Sequence, residues 1–249
     1  MASLKKITNY LDDYLKINEI KDSSVNGLQV SGKENINKIA FAVDACTESF
    51  SAAKDAGADM IIVHHGLIWN GITSVTGITY RRLKFLIENE ISLYAAHLPL
   101  DLHPEVGNNI EFLKLFNAEN IEEFGNYHGI FIGFMGEFAE RRINDFAGEI
   151  QKKLNTNCAV LPFGKEKVKK VGVVSGAAAR IVNEAVEKVD VFVTGEASHE
   201  VYHTAKEAKV NIIFAGHYAT ETLGVKALAK LLKEKFDVEA VFIDVPTGL

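Results

Sequence analysis

The sequence has few cysteines, no excess of basic charge and no long apolar run. Its two cysteines, Cys46 and Cys158, are too few for a disulfide framework or a thiolate zinc site. With 27 basic and 33 acidic residues, its net charge of −6 argues against an overall nucleic-acid-binding surface. No segment reaches the ~20 apolar residues of a membrane helix, and the opening residues lack the apolar stretch of a signal peptide. These absences predict a soluble cytoplasmic protein.

Apolar residues are abundant, at 47% of 249 residues, which is enough for one large domain or two modest ones. Short apolar runs alternate with helical patterns, as in a strand–helix–strand unit with parallel strands. The predicted fold class is therefore α/β, with mostly parallel sheets. The main predicted strands lie at 39–43, 60–63, 91–96, 171–174, 191–194, 211–214 and 240–243.

The pattern divides the chain into three parts that form one structural unit. We expect a first α/β lobe at 1–120, a short central segment at 121–167 and a second α/β lobe at 168–249. The segments DMIIVHHG at 59–66 and VNIIFAGH at 210–217 each contain a predicted apolar strand followed by histidine. The similarity of these two segments suggests two similar lobes with a site between them.

Histidines and carboxylates follow the ends of the predicted strands, where parallel sheets collect their functional groups. Adjacent side chains in a regular strand point to opposite faces, so we place the histidine pair after Val63 in a loop. His217 and Glu221, four residues apart, would share one face of a helix. The candidate metal ligands are His64, His65, Asp101, His217 and Glu221.

Imidazole and carboxylate ligands suit zinc, manganese, iron or nickel better than calcium or magnesium. Five ligands exceed the three that a hydrolytic site with one metal commonly uses. A carboxylate can also bridge two ions, a role that best suits Glu221 or Asp101. The sequence therefore predicts two divalent metal ions per subunit.

Five strings occur in order along nearly the whole chain: NGLQV at 26–30, VHHGLIW at 63–69, AHLPLD at 96–101, TGE at 194–196 and GHYATE at 216–221. Together they resemble the GTP cyclohydrolase 1 type 2 family, also called NIF-three-like proteins. The chain resembles the compact form of that family, without a large inserted central domain.

The resemblance implies a dinuclear metal centre, two related α/β lobes and a ring-shaped homohexamer. The family's metal ligands match all five candidates, and none is substituted. His97, Glu196 and His203 match other positions that line the family's pocket, so they are secondary catalytic candidates. The implied activity is metal-dependent hydrolysis of GTP or another nucleotide.

Two alternatives use the same residues. One is a different dinuclear hydrolase, such as a phosphoesterase, acting on another small-molecule substrate. The other is a ring-shaped regulatory protein that binds metal without turnover and contacts protein or nucleic acid. Lys165, Lys167, Lys169 and Lys170 form a basic cluster that could contact nucleic acid, but such runs are usually solvated turns and the acidic net charge counts against this role.

One segment of the sequence resembles a nucleotide-binding loop. Residues 27–33, GLQVSGK, open like a P-loop, but Glu34 stands where the magnesium-binding Ser or Thr belongs. A P-loop follows a strand and opens a helix, whereas this segment follows a predicted helix. We interpret it as a structured loop near the site.

The implied ring predicts an assembly mass six times that of one chain, because a closed ring has a fixed number of subunits. Light scattering on the purified protein measures that mass directly. A mass of one or two chains would contradict the ring.

Overall fold

Two α/β units account for the described residues, 2–72 and 74–249, in this computed structural model. The first unit takes the chain up to residue 100 and then residues 224–245, and the second takes 101–223 and 246–249. Each unit is built around its own sheet. Among the described residues, no helix combines the length and apolarity that crossing a membrane requires.

The elements that precede residue 96 belong to the first unit. They are β1 (Ala2–Ser3), α1 (Leu4–Tyr14), β2 (Gly27–Val30), β3 (Asn35–Ile36), β4 (Lys38–Asp44), α2 (Thr47–Asp55), β5 (Met60–His65), α3 (Gly77–Glu88) and β6 (Ser92–Ala95).

The later elements belong mostly to the second unit. They are α4 (Leu98–Asp101), α5 (Asn108–Leu115), β7 (Glu119–Tyr127), β8 (Ile130–Arg142), α6 (Ile143–Leu154), β9 (Ala159–Pro162), β10 (Lys167–Val174), a 3₁₀ turn (Ala179–Ile181), α7 (Val182–Lys188), β11 (Val191–Thr194), α8 (Val201–Ala208), β12 (Asn211–Phe214), α9 (His217–Phe236) and β13 (Glu239–Phe242).

The first unit has a five-stranded sheet with the order β13, β4, β5, β6, β2. The first four of these strands are parallel, and β2 runs antiparallel at the edge. Ile61, Ile62 and Phe41 are wholly buried, which explains why the central strands are continuous apolar runs. This confirms the α/β class and the parallel pairing of β4, β5 and β6.

Strand β13 joins the sheet of the first unit, although it lies almost at the end of the chain. Its residues Ala240 and Phe242 align with Ile39 and Phe41 of β4. The sequence predicts the strand but not its neighbour, because an apolar run does not specify which sheet edge it completes.

The second unit has a six-stranded sheet with the order β7, β8, β10, β11, β12, β9. Strands β10, β11 and β12 are parallel, and the other pairs are antiparallel. Residues 121–167 therefore contribute β8, β9 and most of β7 to the same sheet as the strands that follow.

Side chains cap the first turns of α1 and α2. Ser3 accepts a hydrogen bond from the Lys6 backbone N–H at 3.3 Å, as expected for the first residue before α1. Helix α2 begins at Thr47, and the residue before it supplies the cap. Cys46 is the cap, and its Sγ accepts from the Ser49 N–H while the Ser49 hydroxyl accepts from the Cys46 N–H, a reciprocal pair.

The string that imitates a P-loop begins as a strand, not as the loop that we predicted. Its first four residues form β2, which pairs with β6. Gly32 then lies against backbone: a Cβ there would be 2.2 Å from the Glu90 carbonyl oxygen and 2.8 Å from the Ser92 nitrogen. This glycine permits close chain packing.

We expect Gly32→Ala to lower the free energy of unfolding by about 1–3 kcal/mol, because overpacking against backbone forces local shifts. Gly148→Ala is the matched control. Gly148 is exposed on the solvent-facing side of α6, with open space around its Cβ position, so alanine there should be neutral or stabilise by about 0.5–1 kcal/mol. Calorimetric unfolding measures both effects, and equal stabilities would contradict this packing.

Candidate metal-binding site

The histidine pair occupies the last two positions of β5, so the loop that we predicted for it is wrong. His65 aligns with Asp44 of β4 across the sheet. The ring centroids of His64 and His65 are nevertheless only 4.7 Å apart. Side chains on opposite sheet faces would be more widely separated, so both rings turn over the end of the strand.

His97, which follows β6, completes a three-histidine cluster with this pair. Its ring centroid lies 5.1 Å from that of His64 and 5.6 Å from that of His65. One nitrogen from each ring lies within 4.8 Å of the others. Three imidazoles can supply the protein ligands of a zinc site, so the first unit alone holds a group that could bind a metal.

Hydrogen bonds determine which ring nitrogen of His64 and His65 carries the proton. The Nδ1 of wholly buried His64 lies 2.9 Å from the Ala96 carbonyl oxygen. A carbonyl only accepts, so Nδ1 carries the proton and the neutral ring has its lone pair on Nε2. His65 Nδ1 lies 2.8 Å from Asp44 Oδ1. Such outer partners orient metal-binding histidines.

Asp22 fixes the ring proton of His97 on Nδ1, because its carboxylate oxygens lie 3.0 Å from that nitrogen. The carboxylate also accepts from the Ser24 and Leu98 N–H groups and from the Asn26 side-chain amide. Burial alone would raise the pKa of Asp22, but the hydrogen bonds and the charge of His97 hold it far below its usual value. Asp22 therefore stays ionised beside the cluster.

Sequence reasoning missed Asp22, although it did single out the nearby NGLQV string. The Asn26 side-chain oxygen of that string accepts from the His97 backbone N–H at 2.7 Å. Asp22 lies 75 residues from His97 in the sequence, and no local spacing connects them. The pairing of β2 with β6 brings these segments together in the fold.

In the second unit, Asp101 is buried and held by a polar network. Its Oδ1 accepts from the Asn108 side-chain amide at 2.8 Å and from the Ser175 hydroxyl at 2.7 Å. Asn109 donates to the Asp101 backbone carbonyl and accepts from the Ser175 N–H. A buried carboxylate needs such partners, and they fix the direction of its oxygens.

His217 and Glu221 share the first turn of α9, which confirms their predicted helical spacing. His217 Nε2 lies 3.1 Å from Glu221 Oε1, and its Nδ1 lies 2.6 Å from Glu196 Oε1. Burial would lower the pKa of His217, but the two carboxylates outweigh it and raise the pKa to about 9. Gly176 leaves room for this pair, since a Cβ there would be 2.4 Å from Glu221 Oε1.

The secondary candidates occupy different environments. Glu196 is exposed and its carboxylate accepts the Nδ1–H of His217, whereas His97 belongs to the three-histidine cluster of the first unit. His203 lies on the exposed face of α8, with its ring edge-on to Tyr202 at 5.4 Å.

The fold and these donor groups define a class: a mixed α/β protein with buried His, Asp and Glu groups that could bind a metal. The donors fit such ions because imidazole lone pairs and carboxylates are oriented by outer hydrogen bonds. The model of the Duf34/NIF3 (NGG1p interacting factor 3) family matches residues 2–248. The chain belongs to this family.

Curated relatives match over nearly their full length. A protein from Pyrococcus abyssi named GTP cyclohydrolase 1 type 2 homolog is 52% identical, with 98% of this chain and 99% of the relative covered. One of the same name from Archaeoglobus fulgidus is 51% identical, with 99% and 100% covered.

Solved structures share the whole fold. TTHA1606 from Thermus thermophilus matches with a TM-score of 0.93 and 37% identity over 99% of this chain and 100% of that one. Reduced HcgD from Methanocaldococcus jannaschii matches with a TM-score of 0.84 and 28% identity over 98% of each chain.

We expect Glu196→Gln to lower the pKa of His217 in the metal-free protein from about 9 toward 6.5, because one of two charges that favour the imidazolium is lost. The raised pKa contributes stability below pH ~6.5 that disappears as pH rises through the folded value. NMR titration of the ring protons measures the shift. Glu200→Gln is the control, since Glu200 pairs with Arg180; equal titration of all three proteins would contradict this assignment.

Proposed function

We propose that this protein is a metal-dependent hydrolase that acts on a nucleotide, with GTP as the first candidate. The observation that carries the proposal is the orientation of its histidines. In His64, His65 and His97, hydrogen bonds engage Nδ1, which directs Nε2 to the role of ligand or proton acceptor. The names of the curated relatives support the choice of GTP.

The proposed ligands of two divalent ions are His64, His65, Asp101, His217 and Glu221. Zinc, manganese, iron and nickel all suit this mixture of nitrogen and oxygen donors. When bound, such ions would activate water and polarise the atom that it attacks. Glu221 or Asp101 would supply the bridging carboxylate, since each is buried and a carboxylate has two oxygens to share.

His97 and Asp22 form the proposed proton-transfer pair. The carboxylate of Asp22 accepts from Nδ1 of His97, so it holds the ring in one tautomer and stabilises the positive charge when Nε2 takes a proton. Asp22 is a positioning residue in this scheme, because it acts through His97.

Glu196 has the corresponding position beside His217. Its carboxylate accepts from Nδ1 at 2.6 Å, so it would orient the ring while Nε2 binds metal. We retain Glu196 and His203 as pocket residues on the strength of the family resemblance, and we likewise propose the homohexameric ring.

The ligand set predicts about two ions per chain in the purified, metal-loaded protein. His64→Asn and Glu221→Gln should each lower metal affinity by at least ~100-fold, because loss of an outer partner alone costs 10–100-fold. Asparagine retains a donor for the Ala96 carbonyl while removing Nε2, and glutamine retains the shape of Glu221. Elemental analysis after dialysis against increasing chelator measures the loss.

His128→Asn is the matched control for that measurement. His128 is exposed at the turn between β7 and β8 and has a φ of 51°, which asparagine tolerates well. Metal retention should equal that of the unaltered chain. Equal retention by all variants would reject the ligand set.

Product analysis separates the proposed reaction from its alternative. With GTP as substrate, opening of the guanine ring releases formate, whereas a phosphoesterase releases phosphate. We expect formate from the metal-loaded protein and a loss of at least ~100-fold in His64→Asn, since catalysis by the ions requires their ligands. Absence of formate with metal bound would reject GTP ring opening, and phosphate release that requires His64 would favour the phosphoesterase.

A further inference from the structure

The only tryptophan of the chain, Trp69, borders the three-histidine cluster. Its ring centroid lies 5.0 Å from that of His97, nearly perpendicular to it at 71°, and 6.3 Å from that of His65. The side chain is nevertheless 38% exposed. At this exposure, Trp69 keeps apolar ring surface in contact with solvent next to a polar cluster, which leaves that surface able to bind a ligand.

The exposed indole is held in place by its own loop. Its Nε1–H donates to the Gly66 carbonyl at 3.0 Å. The Gln29 side-chain oxygen accepts from the Leu67 and Ile68 N–H groups at 2.7 and 3.2 Å, which fixes the chain between Gly66 and Trp69. The ring position is therefore largely set before any ligand arrives.

A second segment, at residues 24–25, also contacts this loop. Ser24 forms a β-bridge with Trp69, and the Val25 N–H donates to the Ile68 carbonyl at 3.0 Å. The Gln29 side-chain amide donates to the Val25 carbonyl at 2.7 Å. One glutamine thus joins both segments, and an added Cβ at Gly66 would lie 2.4 Å from its Nε2.

Because of these contacts, Trp69 can attract a ligand through its ring surface but not through a hydrogen bond. Its single hydrogen-bond donor is already used by Gly66, so the remaining attraction comes from the ring surface. Flat heteroaromatic rings stack on such surfaces without a requirement for a particular hydrogen-bonding pattern. A rigid aromatic platform also costs little conformational entropy when a ligand binds.

We propose that Trp69 is the platform on which a flat heteroaromatic ring of the substrate stacks, next to His65 and His97. The inference rests on the proposed function and specifies which part of a nucleotide the site recognises: the base, not the sugar phosphate. Gln29 is a positioning residue for this platform, since it acts through the loop at 66–69.

Intrinsic fluorescence tests this directly because all tryptophan emission comes from Trp69. We expect guanosine, which has the ring without phosphate, to quench the emission of the metal-loaded protein saturably under excitation at the red edge of indole absorption. Ribose 5-phosphate, which lacks the ring, should leave it unchanged. Equal quenching by both compounds, or by neither, would overturn the proposal.

Equilibrium dialysis extends the test to variants that lack tryptophan. Trp69→Ala should weaken guanosine binding by about tenfold or more, the typical loss when a stacking partner is removed. Trp69→Phe should retain most of the affinity, because it keeps a flat ring. Unchanged guanosine affinity in Trp69→Ala would reject the platform.

Metal content distinguishes this inference from the proposed function. Trp69→Ala should keep the metal content of the unaltered chain while losing affinity for the base. If the unaltered chain binds no metal but guanosine still quenches Trp69, the proposed function fails and the platform stands. If emission instead shifts to shorter wavelength as protein concentration rises without ligand, a second copy covers Trp69 and the platform is rejected.

Discussion

A neutral imidazole has one lone pair, and whichever nitrogen carries the proton decides where that lone pair points. In this protein the proton position of His64 follows from the Ala96 carbonyl at 2.9 Å. Asp44, Asp22 and Glu196 provide the corresponding acceptors for His65, His97 and His217. Without its acceptor each ring could rotate or change tautomer, and its lone pair would no longer point in one fixed direction.

Burying a carboxylate costs free energy unless hydrogen-bond donors replace the water that it loses. Asp22 obtains them from backbone N–H groups that follow α1 and β6, and Asp101 obtains them from Asn108 and Ser175. Each unit therefore does more than place the carboxylates near the histidines. It brings together donors from distant parts of the sequence, which allow the carboxylates to remain charged.

Prediction from sequence succeeded where the physical signal is local. Strands β11 and β12 have the predicted bounds because each is a four-residue run of buried, mostly apolar side chains, and the helical spacing of His217 and Glu221 needed only the geometry of one turn. Asp22, Ser175 and the partner strand of β13 were missed because their roles depend on contacts between distant segments. The loop assigned to His64 and His65 was wrong because ring proximity at a strand end does not require the strand to stop.

The late position of β13 matters for synthesis of the chain. Strand β4, with its run of buried apolar side chains, pairs on one side with β5 and on the other with residues 239–242, which a ribosome adds long after it has made β4. Until they emerge, β4 is an unprotected sheet edge of the kind that recruits strands from other chains. At roughly 5–20 residues per second, the nascent protein carries this exposed edge for many seconds, a natural binding target for chaperones.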